Sequence, residues 1–239
     1  MHSLIFNQRR TWFAALGLSL ILMLGLTYHL MAEDPVAFAK TVEGQVQVQS
    51  SDSSWRALPE GSLIKDGDRI KTGANSRVVI QTRRGIYIRL GANTEAALND
   101  IVAGNRPGTV NLERGNSWYN IEPNSGNQGF QVITPTAVAA VRGTKFSIVH
   151  ADTGTISCVC KGAIQTGRPG SSDTSTAETG DSHRYSPSGE LEKIDLNDYF
   201  DGLKVDDDFR EVIRQDARYG YCMECHRSQD MDAEPEYGP

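Results

Sequence analysis

Cys222-Met223-Glu224-Cys225-His226 carries the most definite chemistry in this 239-residue chain. Two thiols spaced by two residues can reach the two vinyl groups of one porphyrin. The adjacent imidazole then comes beneath the iron as an axial ligand. In an exported protein this spacing is the attachment motif of haem c, with Cys222 and Cys225 as thioethers and His226 as proximal ligand. The spacing supplies no sixth ligand. Met231 follows His226 too closely to reach the opposite haem face without a sharp reversal, which leaves His150, His183 or an open, water-ligated iron.

Cys158-Val159-Cys160 is the other sulfur pair, and the chain holds only these four cysteines. On a strand both thiols point to one face. Their Cα atoms would lie roughly 7 Å apart, at the edge of disulfide reach. Two thiols on one face suit a soft metal. With Cys222, Cys225, His226 or His183 they would complete a site for zinc, copper or an iron–sulfur cluster. Alternatively they are buried small residues, or disulfide partners of the C-terminal pair. Haem, shared metal and disulfide all remain open at this stage. The sequence shows no Ser-His-Asp arrangement, phosphate loop or H-x-x-x-H motif, so the chain reads as non-enzymatic.

All of these chemistries depend on export. Residues 12–32 are apolar apart from His29, flanked by Arg9 and Arg10 before and by Glu33 and Asp34 after. About 20 such residues cover a hydrocarbon core of roughly 30 Å as a helix. The positive flank predicts a short cytoplasmic N-terminus (1–11), a single inner-membrane pass, and a periplasmic remainder. Ala37-Phe38-Ala39 offers a competing signal-peptide cleavage site. The run is longer than the usual apolar core of a signal peptide, and that cut would truncate the first strand, so a retained anchor is expected.

Beyond Val36 the pattern is short strands with turn punctuation, expected over 36–196. Val42, Gly44, Val46 and Val48 alternate with polar residues, as on a half-buried strand. Asp66-Gly67-Asp68 marks a turn. Val78–Thr82 and Ile86–Leu90 flank Arg83-Arg84-Gly85 as a hairpin. Runs at 110–112, 117–121, 130–133, 145–149 and 155–160 continue the series. This spacing predicts an all-β antiparallel sandwich or barrel-like domain. Residues 167–182 are rich in Gly, Ser and Thr and read as a mobile loop, followed by a short return strand at His183-Arg184-Tyr185.

The segment Thr134-Pro135-Thr136-Ala137-Val138-Ala139-Ala140-Val141-Arg142-Gly143-Thr144-Lys145-Phe146 suits a backbone packed closely against a neighbouring strand. Gly44-x-Val46, Trp55-x-x-Leu58, Gly61, Gly67-Asp68, Thr72-Gly73, Ile88-Arg89-Leu90, Gly115-x-x-Trp118 and Phe130-x-Val132-x-Thr134-Pro135 precede it in order. Over roughly 40–165 this ordered set resembles the FecR family, named for a periplasmic regulator of ferric citrate uptake. The resemblance implies an exported β-domain in a sensing role with a protein partner in the envelope. FecR regulators usually carry a cytoplasmic sigma-factor-engaging domain before the membrane segment. Ten residues precede Thr11 here, so a variant without that half is expected.

The tail, 197–239, reads as an acidic helical extension. From Glu190 onward there are 15 Asp/Glu and 6 Lys/Arg, a net of −9 within a chain total of −6. Such a balance excludes nucleic acid as the main partner. Asp206–Asp208 suit a helix start, Phe209, Val212, Ile213 and Ala217 share one face, and Gly220 suits the end. The role these features combine to suggest is a membrane-anchored envelope sensor or electron-transfer accessory bearing one haem. The alternative is a FecR-like interaction scaffold whose cysteines hold a metal or form disulfides.

Overall fold

The alternating valines around Gly44 do not make one strand. Gly44 takes a positive φ of 71°, and a Cβ there would strike the Ser76 side chain. The chain therefore turns, and the run divides between β1 (Ala37–Glu43) and β2 (Val46–Gln49), which pair in different sheets. Alternation reports which face a residue takes. It does not report a change of sheet midway.

The computed structural model describes residues 37–51, 54–82, 85–101, 107–122 and 129–195. The expected membrane helix, the tail helix and the Cys222–His226 motif lie outside the described residues. Among the described residues every element is a strand, and no helix is long and apolar enough to cross a membrane.

Two sheets carry the fold. In the first, β4 (Leu63–Ile64) flanks β1, followed by β6 (Arg77–Thr82), β7 (Ile86–Leu90), the end of β9 (Gly108–Ile121), β12 (Lys145–Ala151), β13 (Gly154–Lys161), β16 (Asp181–Tyr185) and β17 (Leu191–Asp195). The second runs β3 (Arg56–Ala57), β2, β5 (Arg69–Thr72), β8 (Glu95–Asn99), the start of β9, β10 (Phe130–Ile133), β11 (Val138–Val141), β14 (Ala163–Gly167) and β15 (Thr174–Glu178). Their inner faces share one apolar core, including Val48, Ile80, Ile88, Leu112, Tyr119, Phe130, Phe146 and Ile164. The expected all-β class is therefore observed among the described residues, with the sheets open at their edge strands.

Strand β9 joins the two sheets. The sequence suggests two short strands there, but one 14-residue strand runs through both sheets. It bends at Gly115, whose φ is 94°, beside a register shift opposite Glu95 and Ala96. A Cβ at Gly115 would meet Thr94 Oγ1 and lie 2.5 Å from Thr94 Cα. Glycine is therefore required at the crossing. From the first sheet the chain returns to lay β10 parallel to the start of β9. That pair is the exception to the expected antiparallel pattern.

After β10 the chain alternates hairpins between the sheets: β10–β11, β12–β13, β14–β15, β16–β17. The Thr134–Lys145 signature builds the first of these crossings. Thr134 Oγ1 accepts from Ala137 N (2.9 Å) and closes the β10–β11 turn. Ala139 enters the core. Gly143, at φ 65°, leads from β11 to β12 in the other sheet.

The expected loop at 167–182 contains β15, with β16 beginning at Asp181. Ala177 is fully buried in the core, and β15 pairs along β14 from Ala163 to Gly167. Gly/Ser/Thr composition conceals a strand whose stability comes from its neighbour rather than from its own side chains.

Candidate functional site

The cysteine pair lies on β13, where Gly154 to Cys160 are all buried. Cross-strand register assigns their face. Arg89, Trp118, Ser147, Cys158 and Ser182 stand in one row across β7, β9, β12, β13 and β16. The neighbouring row of Ile88, Tyr119, Phe146 and Val159 belongs to the core. Cys158 therefore projects from the outer face of the first sheet.

Cys160 is the extra residue at a bulge. Phe146 pairs with Val159 and Lys145 with Lys161, which leaves Cys160 between them. It packs with Trp118 in an apolar cluster separate from the main core. The Arg89 guanidinium lies over the Trp118 ring at 4.5 Å. Cys160 is disulfide-bonded. Cys158, two residues before it, is buried.

His183 lies on the opposite side of the sheet. It pairs with Ser157, not with Cys158, and faces the second sheet. Its Nδ1 is 2.7 Å from Thr166 Oγ1, which also lies 3.0 Å from the Tyr185 hydroxyl. Burial holds the His183 pKa below its usual value, Lys193 adds to this, and Asp181 opposes it. Cys158, Cys160 and His183 thus do not converge on one point, and a metal held by these three does not fit. Among the described residues no group of three or more His, Cys, Asp or Glu is placed to hold a metal.

His150 joins a hydroxyl cluster instead. Its Nδ1 lies 2.9 Å from Thr155 Oγ1, which also meets Thr134 Oγ1 at 2.7 Å and Thr136 Oγ1 at 2.6 Å. Burial lowers the His150 pKa, against opposing effects of a Gly154 backbone hydrogen bond and Asp152. This network ties the β10–β11 turn to β13. Cys222, Cys225 and His226 lie outside the described residues.

Sequence reading missed the Arg89–Trp118 stack. Both residues stood out only as members of separate patterns, Ile-Arg-Leu and Gly-x-x-Trp. Their adjacency depends on the register between β7 and β9. The bulge at Cys160 left no sequence signal.

The geometry defines an all-β module whose recognisable residues form core, turns and crossings. Residues 68–165 match the FecR protein family, from the start of β5 into β14. Two crystal structures of a candidate anti-sigma factor from Parabacteroides distasonis are similar to this chain. Each has 19% identity and a TM-score of 0.48, covering 63% of this chain and 73% of that one, and 64% and 74%, respectively. A cell surface anchoring domain aligns at 26% identity and a TM-score of 0.27, over 29% of this chain and 91% of its own. Likenesses at this level define no activity. No curated protein matches the chain.

Proposed function

We propose that this chain is a non-enzymatic sensing and signalling module of the cell envelope. It is held to the inner membrane by residues 12–32 and presents its sandwich to a protein partner in the periplasm. The FecR match over residues 68–165 carries this reading. The residues behind the match support a scaffold: Gly115 permits the sheet crossing, Phe130 and Phe146 fill the core, and Thr134 closes a turn.

A reporter inserted at Gly170 tests the orientation. That glycine occupies a surface turn with nothing within 4 Å of an added Cβ, so an insertion there should leave the sandwich intact. Alkaline phosphatase activity from this fusion is expected. Activity of a cytoplasmic reporter at the same position would overturn the reading. Photocrosslinking from exposed β17 positions such as Leu191 should then trap an envelope protein, and absence of any crosslinked partner from the exposed strands would count against signalling by contact.

Covalent haem at Cys222 and Cys225, with His226 as axial ligand, is the second reading, and the C-x-x-C-H motif favours it. It requires both thiols of that pair. The disulfide at Cys160 favours the scaffold, because it must draw on the same small set of cysteines. A pyridine haemochrome spectrum of the exported protein decides between them: a covalent haem signal selects the accessory role, and a colourless protein selects the scaffold.

A further inference from the structure

A strand at the edge of a sheet presents a row of backbone N–H and C=O groups to another chain, and folds ordinarily shorten, charge or kink such edges. Strands β3 and β4 are two residues long. Strand β1 carries a bulge between Ala39 and Thr41, and β17 carries both Glu192 and Lys193. Strand β15 is neither short nor bulged. Its five residues pair with β14 without a register shift, and among the described residues its outer edge meets no strand. It reads Thr-Ser-Thr-Ala-Glu, with one charge at its end and no proline, and Thr174, Thr176 and Glu178 are exposed.

Two side-chain contacts fix which backbone groups face that edge. Thr166 Oγ1 of β14 donates to Ser175 O at 3.3 Å, so Ser175 turns its backbone toward β14. Glu178 N donates to Asp181 Oδ2 at 2.8 Å instead of to β14, so Glu178 turns away. Strand alternation then points the N–H and C=O groups of Thr174 and Thr176 outward. The edge is thus blocked at Glu178 by Asp181 and open at the two threonines.

We propose that β15 is a self-pairing edge, at which two copies of this chain join antiparallel about a twofold axis with Ser175 opposite Ser175. A second copy is the occupant because the edge fits itself. In this register Thr174 of each copy exchanges N–H···O bonds with Thr176 of the other, and the Asp181 cap on Glu178 N stays in place. Centring the axis on Thr176 would require that capped N–H. Threonine meets threonine on the exposed face, a favourable cross-strand pair. Glu178 falls opposite Ser172, and Asp173 opposite Ala177, so no like charges are opposed. The contact is isologous, as a twofold demands. One short strand buries far less than the roughly 1,200 Å² of a standard interface, so the pairing is reversible and concentration-dependent.

Disulfide trapping in the full chain reads this register directly. Opposed residues of a non-hydrogen-bonded antiparallel pair lie about 4.5 Å apart at Cα, within disulfide reach. Ser175→Cys should therefore link to itself across the axis under mild oxidation. Tryptic peptide 162–184 holds no native cysteine, so its self-linked form is unambiguous. Leu191→Cys, on the edge strand β17, reports random collision. Thr176→Pro removes an N–H that points away from β14, so β15 should stay folded. In the Ser175→Cys chain it should lower the self-linked peptide at least about tenfold with the urea midpoint unchanged. Sedimentation equilibrium of the unaltered chain in detergent should give a weight that rises with concentration. A self-link no stronger than that of Leu191→Cys, a self-link that Thr176→Pro leaves intact, or a monomer at every concentration overturns the pairing. Peptide 162–184 linked to another protein, and not to itself, assigns the edge to that partner and overturns it too. These readouts are independent of the signalling assignment, whose failure would show in the Gly170 reporter instead.

Discussion

Tyr119 is the sharpest polar mismatch in the core. Its ring stacks on Phe146 at 4.8 Å and tilts against Phe130 at 5.6 Å. Its hydroxyl is buried without a hydrogen bond of good geometry among the described residues; burial pushes its pKa well above the usual tyrosine range, and a weak interaction with the Ser117 hydroxyl opposes that shift. Ser117, on the same face, donates to Ile148 O at 3.2 Å. An unmade buried hydrogen bond costs free energy without return. Tyr119→Phe should therefore raise unfolding stability by about 1 kcal/mol in urea titration, and a loss of stability would reveal a partner for the hydroxyl. Gly115→Ala should do the reverse. A positive φ and the contact with Thr94 together cost about 3 kcal/mol or more, read as a lowered denaturation midpoint. The sequence shows Gly115 as a glycine before a tryptophan. The steric reason for it appears only once β8 lies alongside β9.

At the scale of elements, β14 and β16 hold the two sheets together through polar contacts. Thr166 of β14 meets His183 and Tyr185 of β16 across the sandwich interior. His183 and His150 both have pKa values lowered chiefly by burial. An unfolded histidine titrates near 6.5. Below that pH the unfolded chain takes up protons that the folded chain resists, so stability rises with pH across this window and is lost as pH falls. The urea midpoint should thus be lower at pH 5 than at pH 7.5. His183→Asn should flatten the slope, leaving the share of His150. An unchanged slope in that variant would place the titration elsewhere. The β6–β7 hairpin was legible from alternation and Gly85, and its register is as the pattern implies. Strand β15 was not legible. Its Thr-Ser-Thr-Ala-Glu run has loop composition, and only the β14 ladder and the pocket for Ala177 make it a strand.

Across the whole molecule, β9 belongs to both sheets, so neither can unfold alone and keep its central strand. Unfolding should be a single cooperative transition, with tryptophan fluorescence and far-UV circular dichroism superimposing in urea. Two separated transitions would show that the sheets are independent. The all-β class, the turns at Gly67 and Gly85, and the FecR-like order of residues follow from the chain alone, because alternation and glycine placement are local properties. The sequence also determined which residues hold sulfur and imidazole chemistry, though not which of them meet. Only the tertiary structure decided that His183 faces the interior while Cys158 faces outward, and that a bulge sets Cys160 against Trp118. These outcomes depend on register between strands far apart in sequence, and a slip of one residue would exchange every face.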